Sequence, residues 1–194
     1  MKRLALTVAL LLVPCVTHAE AMPGIRGINH IGLTVPDLAE AEGFFTGVLG
    51  CEKATSFGPF KDDQGNFMQD LLDVDPRAVI ETISLLRCGN GSNIELFKYT
   101  APDQKTVTAR NSDIGGHHIA FYVDDIDAAA AYLKAQNIRT LMGPLPVNEG
   151  PAAGQSILYF FAPWGLQLEA ISFPKGMAYE KDGGPVLWSN TTGE

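Results

Sequence analysis

His30 and His118 stand 88 residues apart, each at the head of a similar phrase. His30-Ile31-Gly32-Leu33-Thr34-Val35-Pro36-Asp37-Leu38 and His118-Ile119-Ala120-Phe121-Tyr122-Val123-Asp124-Asp125-Ile126 both run from a histidine through an alternating strand to an acidic residue that opens an Ala-rich helix. Downstream of each lies an apolar strand carrying one carboxylate, Ile94-Glu95-Leu96-Phe97 and Leu168-Glu169-Ala170-Ile171. Two imidazoles and two carboxylates, one of each per repeat, are the donor set of a symmetric site for one divalent metal ion. Nitrogen and oxygen donors without thiolate suit Zn, Ni, Co, Mn or Fe, not Cu(I) or an iron–sulfur cluster. Two carboxylates facing each other in an interior are costly unless a cation neutralises them.

Strand parity tests whether these side chains share a face, because alternate residues point to opposite sides of a sheet. Ile31, Leu33 and Val35 form the face for the following helix, which leaves His30, Gly32 and Thr34 on the other. In the second copy Ile119, Phe121 and Val123 take the helix face, and His118, Ala120 and Tyr122 look away. His117 falls on the wrong face and is assigned to packing or a backbone hydrogen bond beside Gly115-Gly116. Glu95 lies opposite Ile94 and Leu96, and Glu169 opposite Leu168 and Ala170. A lone strand histidine is more often a satisfied core residue than a ligand. The matched placement of all four is what points to a metal.

The elements that must position these residues repeat as β-α-β-β-β. The first module (27–100) reads as a strand over 27–35 and a helix from the capping pair Asp37 and Glu40 to Gly50. Strands over 51–60, 78–87 and 93–99 follow, the last two joined by the turn Gly89-Asn90-Gly91-Ser92. Residues 61–76 read as a lid-like insertion with a short helical piece near Gln69-Asp70-Leu71-Leu72. After a polar linker (101–114), the second module (115–173) carries strands at 116–123, 138–142, 156–162 and 166–172 and a helix at 125–136. The tail 174–194 contains Val186-Leu187-Trp188 and is expected to wrap the body.

Composition excludes several function classes. With 46% hydrophobic and 19% charged residues, the chain is globular in character. Lys2-Arg3, the apolar run Leu4 to Val13 and the small-x-small stretch Thr17-His18-Ala19 read as a secretory signal over 1–19, which predicts a secreted or periplasmic protein. Cleavage after Ala21 and lipidation of Cys15 are the alternatives. No other segment is apolar for long enough to span a membrane. Removing two basic residues with the signal takes the formal net charge from −8 to −10, which argues against nucleic acid as a partner. Export leaves Cys51 and Cys88, at neighbouring strand ends, in an oxidising compartment. A disulfide between them is open, with two buried thiols ranked ahead.

These motifs, together with Asn93-Ile94-Glu95-Leu96 and Ala162-Pro163-Trp164-Gly165-Leu166-Gln167-Leu168-Glu169, resemble the vicinal oxygen chelate superfamily over residues 25–173. That superfamily includes glyoxalase I, methylmalonyl-CoA epimerase, extradiol dioxygenases and fosfomycin-resistance enzymes. The resemblance implies an α+β fold of two paired βαβββ modules, an open, cup-shaped mixed β-barrel with helices outside around one metal. The metal ligands it implies are His30, Glu95, His118 and Glu169, a pattern similar to glyoxalase I. Ala78-Val79-Ile80-Glu81-Thr82-Ile83 resembles the epimerase strand bearing a candidate base, which would be Glu81. Many members dimerise, so a homodimer is compatible.

The implied chemistry is proton transfer next to a carbonyl. The metal stabilises an enolate or enediolate while Glu169, Glu95 or, as an outside candidate, Glu81 takes the proton. An isomerase, epimerase or lyase acting on a small oxygenated molecule follows. Export argues against coenzyme A esters and the glutathione hemithioacetal, and a keto-sugar or cyclitol-like substrate fits equally well. Two further readings are an extradiol-type dioxygenase, with Glu95 a non-ligand, and a metal-free binding module of the bleomycin-resistance type.

Overall fold

The computed structural model describes residues 22–190; the expected signal over 1–19 lies outside them. The first module runs β1 (His30–Thr34), α1 (Leu38–Gly47), β2 (Glu52–Phe57), α2 (Phe67–Leu72), β3 (Val79–Arg87) and β4 (Asn93–Thr100). The second runs β5 (Ile119–Tyr122), α3 (Ile126–Ala135), β6 (Leu145–Pro146), β7 (Ser156–Phe161) and β8 (Gln167–Ser172). Each module folds into its own four-stranded mixed sheet, ordered β1-β4-β3-β2 and β5-β8-β7-β6. The repeated phrase thus becomes an edge strand, parallel to the carboxylate-bearing strand beside it. Among the described residues no helix is long and apolar enough to cross a membrane.

The helices start where a side chain satisfies backbone donors left free in the first turn. The Asp37 carboxylate accepts from Glu40 N at 2.8 Å, and Asp125 accepts from Asp127 N and Ala128 N. In α1 the apolar residues Ala41, Phe44 and Phe45 recur at helical spacing and are buried. They meet the predicted helix face of the sheet, Leu33, Val35, Ile94 and Leu96. The corresponding residues of the second module, Leu133, Leu158, Phe160, Leu168 and Ala170, belong to the same core cluster. Trp164 from the β7–β8 turn stands edge-on to Phe44, and the Tyr132 hydroxyl donates to Val48 O. The modules therefore join through their helix faces. A cavity of about 800 Å³ lies in this seam, lined by Ile31, Ile94, Ile119, Phe121 and Trp188.

Several details depart from the sequence reading. Cys51 and Cys88 form a disulfide. The register that pairs Glu52 with Arg87 sets the two cysteines opposite each other one step further on, with Cα atoms 4.3 Å apart. The strand expected over 138–142 touches β7 only at an isolated Thr140–Phe160 bridge, and β6 forms instead at Leu145–Pro146 beyond the Gly143 turn. The insertion does hold a helix, α2, whose Met68 is buried with Ile80, Ile83 and Phe97 on the sheet face opposite α1. The tail docks through backbone hydrogen bonds, Ala178 N to Ala153 O and Tyr179 N to Pro151 O. Val186, Leu187 and Trp188 stay largely exposed even though Trp188 reaches the lining of the seam cavity.

Candidate metal centre

In each module the parallel register builds the same small arrangement. Glu95 sits opposite Gly32, two residues beyond His30, and Glu169 sits opposite Ala120, two residues beyond His118. The small residue leaves room for the carboxylate to lean along the strand toward the imidazole. At Gly32 even a methyl group would come within 3.3 Å of the Phe97 ring. His30 Nε2 lies 3.1 Å from Glu95 Oε2, and His118 Nε2 lies 3.0 Å from Glu169 Oε2. The other ring nitrogens are also engaged. His30 Nδ1 is 2.9 Å from Asn29 Oδ1, and His118 Nδ1 is 3.3 Å from Asn111 Nδ2. A partner on Nδ1 fixes the ring and directs Nε2 at its target, as it does for metal-binding histidines.

Each pair lies on the face of its sheet turned away from the shared core, and it is open on the histidine side. The side chains of His30 and Glu95 are 47% and 16% exposed, and those of His118 and Glu169 are 35% and 8% exposed. Residues around them are apolar and aromatic. Leu85 faces Glu95 across β3–β4, with Ile83 and Phe97 beside it. Tyr159 faces Glu169 across β7–β8, and its ring stands edge-on to His118 at 5.3 Å. Burial, then the Glu169 charge and a hydrogen bond to that carboxylate, push the Tyr159 phenol up from its ordinary pKa. Burial first and the Glu95 charge second do the same to Tyr99, which stacks on Phe97.

The four expected ligands therefore come together as two pairs, one per module. Among the described residues no three His, Cys, Asp or Glu side chains gather where they could hold one ion. The physical reason is the apolar helix faces: by packing on each other, they turn the two ligand faces outward. Glu81 joins neither pair. It sits at a bulge in β3, exposed, with its carboxylate accepting a hydrogen bond from the Thr100 hydroxyl. His117 Nδ1 meets Gly115 O at 3.2 Å, the backbone contact expected for it. Sequence reading missed Tyr159, Asn29 and Asn111. The parity that selected Glu169 would have placed Tyr159 on the same face had the β7–β8 register been readable.

The donor chemistry fits a divalent cation. Each pair aims an imidazole nitrogen and a carboxylate oxygen at one point, and two such pairs supply four N and O donors. A family model described as the Glyoxalase/Bleomycin resistance protein/Dioxygenase superfamily matches residues 29–161, spanning both pairs' histidines. The chain belongs to that superfamily. Among curated relatives it is 47% identical over 163 residues to a 2-epi-5-epi-valiolone epimerase of Actinomyces sp, covering 84% of this chain and 87% of that one. It is 25% identical over 134 residues to human mitochondrial methylmalonyl-CoA epimerase, covering 68% of this chain and 64% of the relative. A glyoxalase family protein of Bacillus cereus shares the fold with a TM-score of 0.59 at 18% identity, covering 78% of this chain and 98% of that one. Both of these curated relatives are epimerases by name.

Proposed function

We propose that the protein is a divalent-metal-dependent epimerase acting on a small polyhydroxylated cyclic ketone of the 2-epi-5-epi-valiolone type. The observation that carries this reading is the 47% identity to a valiolone epimerase along 84% of the chain. The two His–Glu pairs support the metal, with His30, Glu95, His118 and Glu169 as the groups that would hold it. Bound there, a divalent cation supplies a Lewis acid for the ketone oxygen as negative charge develops on it. One carboxylate of the set takes the proton from the carbon beside the carbonyl. The C–H electron pair becomes a carbon–carbon double bond and the carbonyl pair moves to oxygen. Return of a proton to the opposite face reverses both shifts, so the product is an isomer with no net oxidation. When the open histidine sides of two pairs are brought together, the apolar and aromatic side chains around them would exclude water and strengthen these electrostatic contacts.

One chain presents two half-sites on outward faces, so the reading includes a homodimer in which the first module of one copy meets the second module of the other. Exposed apolar residues on the same faces favour this. Phe57 and Phe60 pair with Ile83 and Ile80 beside Glu95, and Leu145 pairs with Ile157 in the sheet of Glu169. The Cys51–Cys88 disulfide supports the export reading of residues 1–19, and N-terminal sequencing of exported protein checks it. The activity is tested by incubating the purified protein with 2-epi-5-epi-valiolone in deuterated water. Expected is deuterium at the carbon beside the ketone together with a second epimer, both lost on chelation and restored by a divalent cation. Absence of exchange in cation-loaded protein contradicts the epimerase, and undiminished exchange after complete metal removal contradicts the metal.

A further inference from the structure

The two half-sites match in their ligands but not in what stands across the strand from each carboxylate. Leu85 faces Glu95 and offers no hydrogen bond. Tyr159 faces Glu169 in the equivalent register, which sets its phenol beside that carboxylate. The Tyr159 ring also packs edge-on against the imidazole of His118, so one side chain touches both members of the second pair. Glu169 is correspondingly the more enclosed carboxylate, 8% exposed against 16% for Glu95. A phenol set beside an enclosed carboxylate is placed to hold one of its oxygens while the other points toward Nε2 of His118. Among the described residues, no phenol faces Glu95 across the strand.

We infer that Tyr159 is a positioning residue that locks Glu169 and His118 into ligand geometry, making the second module the pre-formed half of the metal centre. This rests on the reading of Glu169 as a metal ligand. Partners of this kind, which orient ligands without touching the metal, change affinity by about 10- to 100-fold when removed. Their effect disappears when the ligand they act on is removed, because the two then share one coupling.

The test is a double-mutant cycle on purified, metal-free protein, reading affinity for Zn or Co(II) by titration against a competing chelator. Tyr159→Phe is expected to weaken binding 10- to 100-fold while leaving the melting temperature of the metal-free protein close to that of the parent. Glu169→Gln should weaken binding at least as much, and the double variant should be no weaker than Glu169→Gln alone. Replacing Tyr159 by p-aminophenylalanine, which keeps the ring and a donor, should retain most of the affinity. That variant keeps the test alive should Tyr159→Phe fold poorly. Affinity within twofold of the parent for Tyr159→Phe, or a double variant that loses the full product of both factors, overturns the positioning role and leaves the metal site standing. Unchanged affinity in Glu169→Gln overturns the metal-site reading, and the positioning role with it.

Discussion

The two modules present the same His–Glu pair on unlike scaffolds. The first is reinforced: two phenylalanines of α1 enter the core, a disulfide joins the starts and ends of neighbouring strands, and α2 packs on the ligand face. The second has one buried residue in its helix, Leu133, a two-residue edge strand at β6 and no disulfide, yet its carboxylate is better enclosed. Duplication has kept the parallel register that brings an imidazole to a carboxylate, while the surroundings of each pair diverged. What a symmetric metal centre requires of both halves is this register; the rest of each sheet is free to serve stability in one half and orientation in the other.

If the halves are equivalent in function, Glu95→Gln and Glu169→Gln should each lower epimerase turnover by about 10²- to 10⁴-fold, the usual contribution of a positioned acid–base group. Steady-state rates check this, and a variant that keeps more than a tenth of the activity would make its module dispensable and break the comparison. Stability should separate the halves instead. Phe45→Ala, at a position fully buried against both modules, is expected to cost about 3–5 kcal/mol. Chemical denaturation measures it, and a loss below 1 kcal/mol would show that α1 is not the structural anchor. Cys51→Ala with Cys88→Ala should remove about 2–4 kcal/mol, typical of opening a loop of this size. The same denaturation series reads that loss, and metal affinity should be retained because neither sulfur lies at a pair.

The smallest effect belongs to the insertion that only the first module carries at this place. Backbone N–H groups of Gln64, Gly65 and Phe67 hydrogen-bond Asp62 and hold its carboxyl down to about 2, aided by the charge of Arg77. Arg77 in turn donates to the carbonyls of Asp62 and Gly65, knitting the loop that enters α2. A depressed acid stabilises the folded form fully above its unfolded value near 4, and the contribution fades as pH falls toward 2. Protection of the Gly65 and Phe67 amides, measured against the intrinsic exchange rate at each pH, should therefore fall between pH 4 and pH 2. Asp62→Ala should show that lower protection already at neutral pH, with no further loss in acid.

The ligand pairs were legible because strand parity is a strictly local property. Alternation around His30, His118, Glu95 and Glu169 decides their faces with no knowledge of the other module. Helix starts at Asp37 and Asp125 were legible for the same reason. What escaped was long-range. The Cys51–Cys88 bond and the Tyr159–Glu169 contact depend on registers between strands that sequence reading cannot place to one residue. The relation of the modules depends on which apolar face packs on which. Both faces of each sheet carry apolar residues, and only the folded chain shows that Phe44, Phe45, Leu133 and Trp164 make the helix faces the joined ones.

On the proposed reading, the pair from one module completes a metal centre with the pair from the other module of a second copy. Co-expressing His30→Ala and His118→Ala variants, each inactive alone, tests it directly. In mixed dimers one of the two sites keeps both histidines, so metal content and activity should return to about a quarter of the parent level after random pairing. A co-expressed mixture that remains as metal-free and inactive as either variant alone would contradict the account.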